Sequence, residues 1–293
     1  MTDELSDSPL AAHHAERIDL PGRHGTLAAL RARPAPAKAT VLLVPGYTGS
    51  KEDFAPLLDP LADAGFAPLA IDLPGQYESP GPDSEAAYTP DELGSQVTDL
   101  VGKLVADGER VLLLGHSYGG LVARAALLSG CQASGLILLD SGPSAITDPD
   151  RVAVLDHGTA VLRDKGIAAA WQLREQSLLR NPWFAGLPER LRTFHRERFL
   201  RSAPAALITM AEVLRTSEDL VAPLSRELAA RAIPCLVACG EHDDAWSVPT
   251  QQRMAERLDA DFAVLPGCGH SPNTENPSAL VATLLPTWNT WLA

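Results

Sequence analysis

Short, uninterrupted apolar runs alternate along this chain with stretches of helical periodicity. Thr40–Val44 (TVLLV), Ala67–Asp72, Arg110–Leu114 (RVLLL), Gly135–Leu139 (GLILL), Pro234–Ala238 and Phe262–Leu265 read as strands. Phe54–Ala64, Pro90–Ala106, Tyr118–Leu128 and Thr250–Leu258 read as helices between them, and a closing helix starts at Pro277. The breaks fall at turn residues such as Pro45-Gly46, Gly65, Pro74-Gly75 and Gly108. Continuous Val/Ile/Leu runs belong to strands covered on both faces, because a strand with one wet face would alternate. The strand–helix rhythm therefore predicts an α/β protein with a mostly parallel, doubly wound sheet and right-handed crossovers. Ahead of it, Glu16–Leu20 and Thr26–Ala32 read as an antiparallel pair at the sheet edge, and residues 31–38 (RARPAPAK) as a surface connection.

The rhythm fails between residues 145 and 219. That stretch is helical in character and rich in arginine and aromatic residues, among them Arg151, Arg163, Arg174, Arg198, Trp171, Trp183 and Phe199. A structureless crossover of this length is uncommon. The stretch reads as a helical cap inserted between core strands, above their carboxyl ends. The predicted organisation is a flexible start (1–15), a core (16–144 and 220–293) and a cap (145–219). Trp171, Trp183 and Trp246 read as pocket walls or as plain core.

Composition narrows the function classes. Of 293 residues, 37 are acidic and 24 basic, for a net charge of -13, and no Lys/Arg run occurs. Nucleic acid and anionic membranes need a positive surface, so neither is an expected partner. Strongly anionic substrates are discouraged too, unless the pocket is locally basic. The N-terminus is polar and acidic, unlike a secretory signal, and no apolar run reaches the roughly 20 residues of a membrane span. A cytoplasmic location is the expectation. Cys131, Cys235, Cys239 and Cys268 read as free buried thiols, since paired Cys/His spacing for zinc is missing. No nucleotide-binding glycine pattern occurs. Neither a metal nor an organic cofactor is expected, and the expected partner is a small-molecule substrate.

The chemistry centres on Gly115-His116-Ser117-Tyr118-Gly119-Gly120, which follows the strand RVLLL and opens an Ala-rich helix. A strand–turn–helix context is what a G-x-S-x-G nucleophile requires. Small residues on either side let backbones approach, and Ser117 stands clear near the positive end of the helix. A serine hydroxyl needs a base at neutral pH. His270, in the glycine-rich loop after the last strand, is the candidate, and His116 reads as structural. The imidazole needs a carboxylate on its other nitrogen. Asp243, in Gly240-Glu241-His242-Asp243-Asp244, is the leading choice, with Asp244 and Glu241 as alternatives; Asp140, at the end of GLILLD, could also approach the histidine but reads first as a turn cap. A tetrahedral intermediate needs two N–H donors. The amides of Tyr118 and Tyr47 are the expected pair, although Tyr47 also reads as a plain turn residue.

Taken together, GHSYGG, GEHDDAW, GCGHSPNTENP and PGYTGSKEDF resemble the α/β-hydrolase superfamily, specifically its cofactor-free serine esterase and lipase-like branch. The resemblance runs from about Glu16 to Trp291. It implies an α/β-hydrolase fold with Ser117, Asp243 and His270 as triad, in the order that fold uses. It also implies hydrolysis of a small or medium carboxylic ester through an acyl-enzyme. The same machinery on a thioester, lactone, amide or carbon–carbon bond beside a ketone is the alternative, and a non-catalytic binding protein is a third reading. Two departures stand out. The superfamily commonly has His-Gly where this chain has Pro45-Gly46, and D-x-R-G-H-G-x-S where it has Asp72-Leu73-Pro74-Gly75-Gln76-Tyr77-Glu78-Ser79.

Overall fold

A computed structural model describes residues 5–293, apart from the side chain of Trp183. Eight strands form one sheet: β1 (Glu16–Gly22), β2 (Gly25–Arg31), β3 (Thr40–Val44), β4 (Ala67–Ile71), β5 (Val111–His116), β6 (Gly135–Leu139), β7 (Cys235–Gly240) and β8 (Asp261–Leu265). Their spatial order is β1-β2-β4-β3-β5-β6-β7-β8. β1–β2 and β2–β4 are antiparallel, and every later pair is parallel. The edge hairpin and the parallel sheet both follow the predicted pattern. The chain winds from β3 to β4 on one side and then returns to β5 on the other. Such a reversal opens a crevice at the carboxyl ends of the strands, where ligands of doubly wound sheets bind.

The helices are α1 (Ala55–Asp63), α2 (Pro90–Ala106), α3 (Tyr118–Leu128), α4 (Pro149–Leu178), α5 (Pro182–Ala185), α6 (Glu189–Arg201), α7 (Pro204–Thr216), α8 (Val221–Arg231), α9 (Val248–Leu258), α10 (Pro272–Glu275) and α11 (Pro277–Trp291). None among the described residues is long and apolar enough to cross a membrane. Side chains alternate across each strand, so TVLLV feeds two cores. Val41 and Leu43 join Leu112, Leu114 and Ile137 against α1 and α11, with Trp288 fully buried among them. Leu42 and Val44 join Leu69, Ile71 and Leu113 against α2, α3 and α8. Both faces are covered, which is why the runs carry no polar alternation. Residues 5–15 contain neither helix nor strand; Ser8 and Ala11 are buried, and the His14 amide donates to Asp59 Oδ1 at 2.9 Å.

Among the described residues, five helices, α4 to α8, lie between β6 and β7, and the first four make up the insertion. Gly166, at φ 78° and ψ 177°, interrupts α4 midway. Leu162, Ala170, Trp171, Phe199, Leu207 and Ile208 form a small third core, against which Tyr47 packs. α7 faces two ways. Leu207 and Ile208 join that third core, while Ala206, Met210 and Leu214 join the main one.

A buried charge cluster ties the start of this architecture together. Lys51 and Asp72 are at most 1% exposed. The Lys51 amide and ammonium donate to the two Asp72 oxygens at 2.7 and 3.0 Å. The ammonium also meets Glu52 and Glu78, and lies over the Tyr77 ring. Burial pushes the Asp72 carboxyl up to about 7, against the pull of Lys51. A carboxyl with a raised folded pKa holds its proton more tightly in the folded state, so stability falls as pH rises through that value. Removing the ammonium steepens the fall. Lys51→Met is expected to destabilise the protein by about 3–5 kcal/mol above pH 7, and by less at pH 5, where Asp72 takes a proton. Urea unfolding at pH 5 and pH 8 checks this; an equal deficit at both would remove the charge from the explanation.

Candidate active site

β5 runs two residues further than the apolar run that signals it, and delivers Ser117 at the crevice. Ser117 has φ 54° and ψ -119°, a conformation that L side chains avoid. Backbone bonds on both sides hold it there. Its amide donates to the Leu139 carbonyl at 2.8 Å, and its own carbonyl accepts from Gly120 at 2.9 Å. The two flanking glycines are obligatory. A Cβ on Gly115 would strike the Gly119 carbonyl, and one on Gly119 would strike the Val44 carbonyl.

His270 sits in the loop after β8. Its Nε2 lies 2.9 Å from Ser117 Oγ, and its Nδ1 lies 2.7 Å from Asp243 Oδ1. Asp243 is fully enclosed: Oδ1 also accepts the Ala245 amide at 2.8 Å, and Oδ2 accepts Gln251 Nε2 at 2.7 Å. Burial works to raise this carboxyl, but the hydrogen bond and charge of His270, with Ala245 and Gln251, bring it below the usual carboxylate value. The alternatives point elsewhere. Asp244 is exposed and pairs with Arg151, and Glu241 accepts the Gly267 amide. The geometry thus brings Ser117, His270 and Asp243 into one hydrogen-bonded line. His116 faces the same histidine from behind. Its ring is buried and pushed down to about 4 by that burial. The neutral ring donates from Nε2 to the His270 carbonyl at 2.7 Å, because a carbonyl can only accept.

The loop after β3 crosses over the serine. A Cβ on Gly46 would sit 2.9 Å from Ser117 Cβ, so the Gly46 backbone lies against the serine side chain, with the Tyr47 amide next in the chain. Among the described residues, neither the Tyr47 amide nor the Tyr118 amide donates to a turn, loop or cap hydrogen bond. Both stay available at the positive end of α3. The two sequence departures turn out to be one device. Gln76, buried in the Asp72–Ser79 loop, donates from Nε2 to the Gly46 carbonyl at 2.8 Å, while its Oε1 accepts the Leu73 amide at 3.0 Å. Support for the Pro45-Gly46 turn therefore comes from the other atypical loop. Of the aromatic residues flagged in the sequence, Trp246 lies 6.3 Å from the His270 ring and Trp171 packs in the third core; the side chain of Trp183 is outside the described residues.

Asp140, read from the sequence as a turn cap that could also approach the histidine, lies beside Asp243. Asp140 is fully buried at φ 45°, and its Oδ1 accepts the Gly240 amide at 2.9 Å. Its other oxygen is buried without a hydrogen-bond partner. Asp140, Asp243 and His270 offer ligand atoms within 4.8 Å of one another. Asp243 and His270 already satisfy each other, so the trio is a poor open set for a cation. Burial, and then the Asp243 charge, raise the Asp140 carboxyl well above its usual value. Kept neutral, it has a proton to offer its charged neighbour. A terminal acid on a strand, beside a second strand's acid motif, was the only sequence signal for it.

An open, doubly wound sheet carrying a hydrogen-bonded Ser-His-Asp line at its switch point defines a hydrolase-type α/β protein. The chain belongs to the alpha/beta hydrolase family, whose sequence profile matches residues 41–284. It is 25% identical over 252 residues to the 2-succinyl-6-hydroxy-2,4-cyclohexadiene-1-carboxylate synthase of Escherichia coli, covering 85% of this chain and 93% of that one. Its fold resembles an esterase from Thermogutta terrifontis (TM-score 0.73, 23% identity, 95% of this chain and 100% of that one). It also resembles an enol-lactonase from Burkholderia xenovorans (TM-score 0.74, 20% identity, 93% and 100%).

Asp140 yields a stability test. Its raised folded pKa means its contribution is present below the ordinary carboxylate range and lost as pH rises toward the raised value. Asp140→Asn fixes the neutral form and keeps a donor beside Asp243. Thermal unfolding from pH 5 to pH 9 is expected to fall less steeply for D140N than for the parent. Parallel curves would mean that Asp140 carries no bound proton in the folded state.

Proposed function

We propose that the protein is a serine hydrolase acting on carboxylic esters of small or medium size. The unbroken line from Asp243 through His270 to Ser117 carries the proposal. Ser117 Oγ attacks the ester carbonyl as His270 Nε2 takes its proton. Asp243 holds the Nδ1–H tautomer and stabilises the imidazolium. The amides of Tyr47 and Tyr118 receive the oxyanion, in a loop already braced by Gln76. His270 returns the proton to the leaving alcohol, and an acyl-Ser117 remains. Water activated by the same imidazole then releases the acid. On this reading, residues 145–219 are the cap that shapes the acyl and alcohol pockets. Tyr118 acts only through its backbone, because its hydroxyl is spent on the Tyr88 carbonyl at 2.9 Å.

A second reading keeps the serine and histidine but not the hydrolysis. The Escherichia coli relative is named a synthase, so a reaction other than ester hydrolysis is the competing use of this site. Incubation with a fluorophosphonate is expected to label Ser117, with labelling abolished in Ser117→Ala. Ester turnover is expected to fall at least about 10⁴-fold in Ser117→Ala and His270→Ala, because the members of such a line act as a unit. Trapping of an acyl-Ser117 adduct by mass spectrometry separates the readings. Ester turnover that survives Ser117→Ala would sink the first.

A further inference from the structure

The chain as a whole repels anions, yet the seam between the inserted helices and the serine is locally positive. Several arginines of the insert are neutralised: Arg151 meets Asp244, Arg198 meets Asp53 and Arg215 meets Asp156. Arg174 differs. It is half-buried on the second half of α4, and among the described residues it forms no ion pair with a carboxylate. Its Nη2 donates to Thr48 Oγ1 at 3.2 Å, and its guanidinium edges the Phe199 ring at 5.8 Å. Thr48 lies two residues after Gly46, whose backbone rests against Ser117. Three residues before Arg174, on the same helix face, Trp171 packs on Phe199 at 5.5 Å. Its indole N–H is buried with no acceptor. Tyr47 packs against this cluster, and burial raises its phenol so that it stays protonated.

The buried indole N–H of Trp171 lacks an acceptor among the described residues, and a buried donor left unpaired is costly until one arrives. The Arg174 guanidinium beside it has only the Thr48 hydroxyl to bond. Resting on the ester-hydrolase reading, we infer that Arg174 and Trp171 form a subsite for a carboxylate carried by the substrate itself, at the end away from the reacting carbonyl. One guanidinium and neutral donors suit a single negative charge. A dianionic phosphate would need more positive charge than the seam holds against a net charge of -13.

The test compares para-nitrophenyl valerate with mono-para-nitrophenyl glutarate, whose acyl chains are equally long and end in methyl or carboxylate. The parent protein is expected to prefer the glutarate monoester. Arg174→Met is expected to lower kcat/KM for that ester about tenfold or more, chiefly through KM, and to leave valerate turnover within about threefold. Arg174→Lys keeps the charge and is expected to recover part of the loss. Trp171→Phe, which removes only the donor, is expected to cost the glutarate monoester severalfold and valerate little. Retained valerate turnover also shows that each variant is folded. If the parent cleaves valerate but shows no preference, or if Arg174→Met affects both esters equally, the subsite is overturned and the hydrolase reading stands. If neither ester is cleaved and Ser117 is not labelled, the hydrolase reading fails by itself. Calorimetric titration with glutarate then judges the subsite: binding to the parent and not to Arg174→Met supports it, and binding to neither overturns it.

Discussion

Three pieces of backbone converge on one serine, and their closeness of approach governs the rest of the molecule. The end of β3, the turn after β5 and the start of α3 are nearer to one another than any side chain would permit. Gly115 and Gly119 exist to allow that contact. Without it Ser117 would relax from its left-handed conformation, and its hydroxyl would leave the reach of His270. Strained backbone persists only where surrounding structure over-determines it. Here the determinants are the flanking sheet bonds and the loop that Gln76 holds over the serine.

Electrostatics repeats that logic at two buried carboxyls. Asp72 accepts from three donors, the Lys51 ammonium and the amides of Lys51 and Glu78, and it fastens the loop after β3 to the loop after β4. Asp140 lies beside Asp243 with no cation of its own. Two neighbouring carboxyls cannot both ionise cheaply in a dry site. The one bonded to His270 takes the charge, and the other takes the proton. The division follows from which carboxyl meets the imidazole.

Much of this was legible in the residues. TVLLV, RVLLL and GLILL gave their strands because an apolar run with no polar beat can only be a doubly covered strand. GHSYGG announced its turn because glycine spacing reports backbone proximity directly. The choice among Glu241, Asp243 and Asp244 was not decidable from sequence, since three acids in four residues share one loop and only the fold turns one of them inward. The roles of Gln76, Gln251 and Asp140 were not legible for a related reason. Each acts through a hydrogen bond whose direction depends on tertiary placement, and glutamine or aspartate in a loop or on a helix has no spacing signature. Arg174 was visible only as one arginine among many; that it meets no carboxylate among the described residues is a property of the packed structure.

α7 belongs to two cores at once. A rigid lid must be separable from what it covers, and this insertion is not: swinging it away as one body would pull Ala206 and Met210 out of the sheet core. On the hydrolase reading, traffic to the serine would depend on the rest of the insertion, where α4 is interrupted at Gly166. On that reading, the exchange of substrate and product would be a matter of local adjustment around that break, with α7 as the fixed jamb of the door. Selection for faster release would then act on the length and stiffness of the segment around that glycine, and leave the chemistry beneath it alone.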